Sequence, residues 1–403
     1  MKMHDKMKIA VFHNLPSGGA KRALYGLVDY LVKSGNSVDA YVPSTANENF
    51  LPLKNIVNNL NLFKVKKTFE GSIYSTFKYV PPFIKTISLR DLENTEKEIA
   101  ETINKGDYDV VLTEQDQYTL SPFLLKYIEK STVYYCPQPT RDEAILKRIS
   151  EMTENNINQF KKYIFNYADK IDLKIDRRNA SFAKYIITNS YFSRESILRV
   201  YGFNSYVSYL GIDNELFKPT EIPREDFVLS VGTVTPTKGY DFIIKSLCLI
   251  EEEIRPKFII IANHSEIEWK NYIKQLANDL KVDLEILDLI DDEELTNLYN
   301  RAKIVLYTPY LEPFGLVPLE AMSCGTPVIG VKEGGVRESV IHNKTGLLIE
   351  RDEKLFAKAI IKLLKNDEIR DEMSKNARIT VNKSWTLTQA GERLYWHLKR
   401  AII

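Results

Sequence analysis

The feature that most restricts the fold is an alternation of short apolar strands with amphipathic helices, which occurs in two blocks. The first block opens with the strand KIAVFHN (8–14), a helical pattern over residues 20–35 and the strand VDAYVP (38–43). These segments make a βαβ unit whose helix follows a glycine-rich turn. Strands separated by helices assemble into a parallel sheet, so the two blocks predict an α/β protein with two doubly wound, Rossmann-like domains.

Further apolar runs typical of strands continue both blocks. They lie at 109–113, 132–136 and 185–190 in the first block, and at 227–233, 257–263, 284–288, 303–309, 326–331 and 345–349 in the second. Segment 44–105 has no clean periodicity, and 140–183 is typical of a long polar helical stretch. The seam is predicted in the loop-like run 211–226, which gives domains at 1–215 and 216–385. Ligands of such sheets bind beyond the carboxyl ends of the strands, so the site is expected where two such edges face each other across a cleft.

Composition excludes several classes of function. The net charge of +1 gives no whole-molecule field for nucleic acid, so no nucleic-acid partner is expected. The three cysteines are far apart and odd in number, which favours a reducing compartment. No run of eighteen apolar residues and no signal-peptide pattern is present, so we predict a cytoplasmic protein that does not cross the membrane.

Two glutamates frame the apolar stretch EPFGLVPLE (312–320), directly after a predicted strand. A helix beginning near Phe314 would point its unpaired N–H groups at a ligand, and Glu320 would lie further along that helix. Two separated carboxylates suit two hydroxyl-bearing groups, such as a hexose and a ribose. An ordinary amphipathic helix with solvated carboxylates explains the same residues, so the motif alone leaves both interpretations open.

This stretch, with its spacing E-x7-E, resembles the GT-B glycosyltransferases and specifically the large retaining family 4. Other motifs of that family recur in the same order along the chain. They are SGG (17–19), TNS (188–190), GIDNELFKP (211–219), VGTVTPTKG (231–239), AMSCGTPVIG (321–330), EGGVRE (333–338) and NKTGLLI (343–349). The resemblance covers nearly the whole chain, is most specific in the second half, and is loose over residues 44–180.

The resemblance implies a role for each matching residue. Glu312 would bind hydroxyls of the donor sugar, Glu320 the ribose of the nucleotide, and Lys238 the diphosphate, whose charge grows as it leaves. The other implied donor-binding residues are Phe314, Gly315 and Leu316 through their backbone amides, Gly232 and Thr233, and Gly18 and Gly19 in the SGG turn. The family also implies that a last helix within 386–403 crosses back to the first domain.

The sequence departs from the family at two places. Thr233 and Thr237 stand where many relatives have an arginine beside the phosphate-binding lysine. Cys136, Pro137 and Gln138 stand where relatives often have a histidine, so no catalytic histidine is transferred. Gln138 and Arg141 are weaker candidates for contacting an acceptor or a phosphate.

No metal or other cofactor is expected. The five histidines and three cysteines show no zinc spacing. Asp107-Tyr108-Asp109 spells a D-x-D motif, but it opens a strand instead of ending one, so we interpret it as a turn. The donor would therefore be bound without an obligatory metal ion.

Segment 61–90 mixes basic and aromatic residues with a single acid, Glu70. Such mixing suits an anionic membrane surface or a lipid-linked acceptor. A solvated face above core aromatics accounts for it as well, so peripheral contact with the cytoplasmic membrane face stays one of two interpretations.

The predicted function is that of a retaining hexosyltransferase. It would move a hexose from a UDP- or GDP-sugar to a hydroxyl of a glycan or lipid-linked acceptor, with the acceptor on the N-terminal domain and the donor on the C-terminal domain. Two alternatives stay open. One is a non-catalytic partner subunit of a glycosyltransferase, and the other is a nucleotide-sugar epimerase, against which the scarcity of histidine argues.

Overall fold

The computed structural model describes residues 6–65, 87–139 and 171–403. The chain divides into two compact units. Unit 1 extends to Tyr209 and takes up Ala390–Ile403, whereas unit 2 comprises Leu210–Gln389. The sequence predicts the first of these boundaries at 215, where the units divide after Tyr209, and the second at 386, where they divide after Gln389.

Unit 1 is built around a seven-stranded parallel sheet in the order β3-β2-β1-β4-β5-β6-β7. Its strands are β1 (Lys8–Asn14), β2 (Ser37–Pro43), β3 (Asn59–Phe63), β4 (Val110–Asp116), β5 (Thr132–Tyr135), β6 (Tyr185–Thr188) and β7 (Tyr206–Val207). Its labelled helices are α1 (Gly19–Lys33), α2 (Leu89–Lys105), α3 (Leu124–Tyr127) and α4 (Tyr191–Tyr201). Residues 171–180 are also helical.

Unit 2 has a six-stranded parallel sheet in the order β10-β9-β8-β11-β12-β13. Its strands are β8 (Glu225–Val231), β9 (Lys257–Ala262), β10 (Leu284–Asp288), β11 (Ala302–Tyr307), β12 (Val328–Val331) and β13 (Gly346–Ile349). Its helices are α5 (Tyr240–Cys248), α6 (Ile267–Asp279), α7 (Asp292–Arg301), α8 (Val317–Ser323), α9 (Val336–Ser339), α10 (Glu353–Lys365) and α11 (Asp367–Ser384). The last helix, α12 (Leu387–Ile402), begins in unit 2 and continues into unit 1.

Burial explains why these segments are strands and helices. In β1 and β4 every residue after Lys8 is buried, as expected for central strands covered on both faces. In α1 the predicted apolar face is buried at Leu24, Leu27, Val28 and Leu31. The predicted α/β class with two Rossmann-like sheets is therefore confirmed.

Helix α8, which carries Glu320, is anchored on its C-terminal side. The Ser323 hydroxyl donates to the carbonyl of Phe217 at 2.5 Å, and the Arg378 guanidinium donates to the carbonyls of Phe217 and Ser323 at 3.1 and 3.0 Å. These bonds satisfy the carbonyl of Ser323 at the helix end and tie that end to the carbonyl of Phe217, which fixes the rotation of the helix. The direction in which Glu320 projects is thereby set.

Within the described ranges, no helix is both long enough and apolar enough to span a membrane. Most of the basic-aromatic segment 61–90 lies outside those ranges, since only 61–65 and 87–90 are described. The membrane contact expected there stays a prediction.

Candidate functional site

Charged residues meet at the carboxyl edge of the unit 2 sheet, and two of them, Lys238 and Glu312, are among those that the sequence singles out. Four neighbouring strands, β8, β11, β12 and β13, end there, and the loop after each contributes a charged side chain. These are Lys238 after β8, Glu312 after β11, Glu333 after β12 and Arg351 after β13. This is the edge at which doubly wound sheets bind their ligands.

Lys238 and Glu312 form an ion pair at this edge. Lys238 ends a 3₁₀ turn (Pro236–Lys238), and its Nζ lies 2.9 Å from Oε2 of Glu312. The side chains are 21% and 27% exposed, so solvent and a ligand both reach them. Two residues expected to act on one ligand, 74 positions apart, are thus in contact.

Two glycines permit the loop of Glu312 to take its path. Gly315 has φ +89°, and a Cβ there would lie 2.1 Å from the hydroxyl of Tyr307. Gly334 has φ +63°, and a Cβ there would lie 2.3 Å from the carbonyl oxygen of Glu312. Side chains other than hydrogen are excluded at both positions, because the backbone is left-handed and the space is filled. The EGG sequence therefore packs directly against the backbone of Glu312.

Two buried tyrosines lie within the electrostatic reach of Glu312. Burial, followed by the charge of Glu312, raises the pKa of Tyr240. Burial, Glu312, Tyr240 and Glu320 raise the pKa of Tyr307, so both glutamates act on this phenol. Both phenols therefore stay protonated at neutral pH, and Tyr240 donates to the carbonyl of Gly232 at 3.0 Å.

Glu320 is more enclosed than Glu312. The residue is 6% exposed in the first turn of α8, and its Oε2 accepts a 2.8 Å hydrogen bond from the hydroxyl of the fully buried Tyr299. The sequence did not predict this tyrosine. Its bond orients the carboxylate, and the ribose contact expected of Glu320 stays a prediction.

The remaining predicted donor residues occupy the same edge. Gly232 and Thr233 follow β8, and Gly232 has φ +150°. Helix α8 begins at Val317 with Leu316 as its N-cap, about one turn later than the expected start near Phe314. Gly315 with its positive φ interrupts helical geometry before that point. Phe314 is 2% exposed and packs against Trp385 at 5.6 Å between ring centroids, so its side chain is enclosed and the backbone contact expected of it stays a prediction.

In unit 1 the SGG turn is open. A Cβ built on Gly18 or Gly19 meets nothing within 4 Å, which leaves the backbone accessible. Lys21 in the following turn is fully buried, where it contacts Glu48 and Nε2 of His13. Burial lowers the pKa of His13 to about 4, so the imidazole is neutral. The nearest lysine to the turn therefore has an internal partner, and the role of Gly18 and Gly19 stays a prediction.

The structure gives little information on Gln138 and Arg141, the weaker candidates for contacting an acceptor or a phosphate. Gln138 follows β5, and its carbonyl accepts a hydrogen bond from Gln115. Arg141 lies outside the described residues.

The D-x-D motif binds the start of β1. Asp107 pairs with the Lys8 ammonium at 2.6 Å, and Asp109 accepts a hydrogen bond from the Lys8 backbone N–H at 2.7 Å. Among the described residues, no three His, Cys, Asp or Glu side chains are placed to hold a metal.

Sequence reasoning missed the role of Arg351 and Glu333. The guanidinium meets both carboxylate oxygens of Glu333 at 3.0 Å, from Nε and from Nη2. EGG was noticed only as a motif, and Arg351, directly after the strand TGLLI, was not noticed. The available signal was a charged residue shortly after a predicted strand end, and in ERDEK (350–354) nothing distinguishes Arg351 from its charged neighbours.

The arrangement suits a ligand that carries both an anion and hydroxyl groups. An ammonium at the edge can neutralise the charge of phosphate oxygens, and a carboxylate beside it can accept hydrogen bonds from hydroxyl groups. Both partners are held by loops of one sheet, so they are preorganised before any ligand arrives.

Comparison with known proteins shows similarity to glycosyltransferases. Residues 212–380 match the family model described as glycosyl transferases group 1. The human alpha-1,3/1,6-mannosyltransferase ALG2 is 26% identical over 317 residues, which are 74% of each chain. A putative glycosyltransferase, YtcC of Bacillus subtilis, is 33% identical over 182 residues, 43% of this chain and 45% of that protein.

Solved structures show the same fold. Sucrose-phosphate synthase from Thermosynechococcus elongatus superimposes with a TM-score of 0.75 at 18% identity, covering 98% of this chain and 99% of the other. Anabaena HepE in complex with UDP and glucose gives 0.72 at 18% identity, covering 98% and 99%. The predicted GT-B fold and the resemblance to the group 1 glycosyltransferases are therefore confirmed.

Proposed function

We propose that this chain, a GT-B protein of the group 1 glycosyltransferase type, transfers a hexose from a nucleotide-diphosphate sugar to an acceptor hydroxyl, with retention at the anomeric carbon. The observation that carries the proposal is the contact between Lys238 and Glu312 at the carboxyl edge of the unit 2 sheet. The ammonium of Lys238 suits the diphosphate, and the carboxylate of Glu312 suits the hydroxyls of the sugar. HepE, whose structure holds UDP and glucose, supports a nucleotide-bound donor.

In the proposed reaction the bond between the anomeric carbon and the phosphate oxygen breaks while the acceptor oxygen bonds to the same face of that carbon. The acceptor proton passes to the departing phosphate oxygen, so no protein nucleophile is needed. Lys238 favours the charge that develops on the diphosphate, and Glu312 holds hydroxyls of the sugar as its ring flattens. Lys238 must shift from Glu312 towards the phosphate when the donor binds.

The acceptor is proposed to bind to unit 1, where the SGG turn is open. Its chemistry is proposed as a glycan or lipid-linked hydroxyl compound, and the name of the relative ALG2, an alpha-1,3/1,6-mannosyltransferase, supports an acceptor hydroxyl that receives a sugar. The proposed location is the cytoplasm or the cytoplasmic membrane face.

A thermal-shift panel tests the donor class. UDP, GDP, ADP and their sugars are added separately, each with and without a chelator, because a ligand that binds only the native state raises its melting temperature. We expect one nucleoside diphosphate and one of its sugars to raise it, equally in both conditions. No shift with any nucleotide would refute the proposal, and a shift that requires a divalent ion would refute metal independence.

Product analysis separates the alternatives. A transferase releases the nucleoside diphosphate and a glycoside that keeps the anomeric configuration of the donor. Nucleotide binding without turnover on any acceptor would indicate a partner subunit. Release of an epimerised free sugar would indicate an epimerase.

Glu320→Ala is expected to weaken nucleotide binding about ten- to a hundredfold, because a buried hydroxyl–carboxylate bond contributes roughly 1.5–3 kcal/mol. The structure adds a confounding effect, since the variant also leaves the buried Tyr299 hydroxyl without this acceptor. Tyr299→Phe is the matched control, because it removes the same internal bond and leaves the carboxylate in place. Calorimetry should show weak binding for Glu320→Ala and near-parent binding for Tyr299→Phe. Equal affinities in both variants would remove Glu320 from the nucleotide site.

A further inference from the structure

Arg351 lies at the centre of the loops that form the candidate donor site. Its side chain is 11% exposed and paired with Glu333, itself 15% exposed. Nη1 and Nη2 each donate to the carbonyl of Thr308 at 3.1 Å, and Nη2 also reaches the carbonyl of Pro309 at 3.3 Å. Together with the two bonds to Glu333, all three guanidinium nitrogens bind protein oxygens.

Two aromatic rings also lie close to the guanidinium. Its central carbon lies 3.6 Å from the ring centroid of Tyr310 and 5.3 Å from that of Phe242. Cation–π contacts of this kind are strongest where water is excluded, as it is around this side chain. With its nitrogens bonded to oxygens and two rings beside it, the group has little freedom to turn towards a ligand.

The contacts of Arg351 lead to both residues of the ion pair. Thr308, whose carbonyl Arg351 holds, donates its hydroxyl to the carbonyls of Lys238 and Gly239 at 3.0 and 3.1 Å. On the other side, Glu333 is followed by the two glycines that pack on the Glu312 loop, and the N–H of Gly335 donates to the carbonyl of Glu312 at 2.9 Å. One guanidinium thus connects the loops after β8, β11 and β12 from its own position after β13.

We propose that Arg351 is a positioning residue of the donor site, which fixes the loops that carry Lys238 and Glu312 without touching the donor itself. This inference rests on the proposed function of the site. In this role Arg351 does not replace the phosphate-binding arginine that the family resemblance implies beside Lys238, where Thr233 and Thr237 stand. A lysine cannot replace it, because an ammonium lacks the planar fork that bonds a carboxylate and two carbonyls while stacking on a ring.

The test compares Arg351→Lys with Arg301→Lys. Arg301 forms an equivalent two-bond pair with Glu225, at 2.7 and 3.0 Å, at the start of β8 and so away from the carboxyl edge. Each variant is checked for folding by circular dichroism and thermal melting. Nucleoside diphosphate affinity and sugar transfer are then measured by calorimetry and product release.

We expect Arg351→Lys to lose about tenfold in diphosphate affinity and about a hundredfold in turnover, because displacements near 1 Å cost this much at a reacting centre. Arg301→Lys should stay within about twofold of the parent in both, as surface pairs contribute little. If Arg351→Lys matched Arg301→Lys while the parent bound the nucleotide, the inference would be overturned and the proposed function would stand. If the parent protein bound no nucleotide, the proposed function would be refuted, and the inference that rests on it would be refuted with it.

A double-mutant cycle separates positioning from direct phosphate contact. If Arg351 acts through Lys238, then Arg351→Lys should change diphosphate affinity little in a Lys238→Ala background, because residues acting as a unit are not additive. Additive losses would mean that the guanidinium binds the phosphate itself and would overturn the inference. Should Arg351→Lys not fold, Tyr310→Leu, which takes the stacked ring away from the guanidinium and keeps Arg351 in place, provides a second comparison.

Discussion

Glu312→Gln is expected to abolish most sugar transfer while the protein still binds the nucleoside diphosphate. In the proposed function the carboxylate lies where the sugar ring changes shape and charge, so its loss should cost on the order of 10²-fold or more in turnover. Glutamine keeps the shape and one acceptor oxygen, and the loop is fixed by backbone packing of Gly334 on Glu312, so the fold should survive.

The structure predicts the direction of the effect on affinity as well. In the free protein Glu312 holds the Lys238 ammonium at 2.9 Å. Glutamine releases that ammonium for the diphosphate, so affinity should stay equal or rise by at most about fivefold, the equivalent of the roughly 1 kcal/mol that a partly exposed pair contributes. Calorimetry with the nucleoside diphosphate checks the predicted affinity, and a transfer assay run beside it checks the predicted loss of turnover. Transfer at the parent rate would mean that Glu312 is only a solvated carboxylate at the sheet edge.

Lys238→Ala is expected to weaken nucleoside diphosphate binding about ten- to a hundredfold, since a charge-assisted bond to phosphate contributes roughly 1.5–3 kcal/mol. Turnover should fall further, because the charge on the diphosphate grows as the sugar leaves. Affinity for the nucleoside monophosphate should change little. Lys238 ends a short turn and is not part of the core, so the melting temperature should be nearly unchanged.

Lys257→Ala provides the matched control for that variant. Lys257 pairs with Glu285 at 2.8 Å in the same unit, but at the first residue of β9 and therefore at the amino end of the sheet. It should leave both affinities and turnover unaffected. Equal losses of monophosphate and diphosphate affinity in Lys238→Ala would rule out a diphosphate-specific role.

The elements that the sequence predicted well are those whose burial is continuous. Strands such as β1 and β9 are runs of apolar residues, and their bounds agree with prediction to within a residue or two. Strand β3 was missed because NLNLF alternates asparagine with apolar residues at the edge of the sheet, where Leu62 is 65% exposed. The two-residue strand β7 is too short to have a pattern.

The sequence singles out three residues of the candidate site but not their contacts. Lys238, Glu312 and Glu320 were recognised from motifs that resemble a known family. The bond between Lys238 and Glu312, the Tyr299 hydroxyl on Glu320 and the Arg351 contacts join residues 74, 21 and 18 to 43 positions apart. Such pairs form because the order of strands in the sheet brings particular loops together. Local sequence patterns do not predict that order.

The most direct test of the donor site is a crystal structure of the protein with its nucleoside diphosphate sugar bound. We predict that a phosphate oxygen lies about 3 Å from the Nζ of Lys238, the normal length of such a bond, and that a sugar hydroxyl replaces Lys238 as the partner of Glu312. Arg351 should keep its contacts with Glu333 and Thr308. A donor bound elsewhere, with the bond between Lys238 and Glu312 intact, would contradict the assignment of this edge as the donor site.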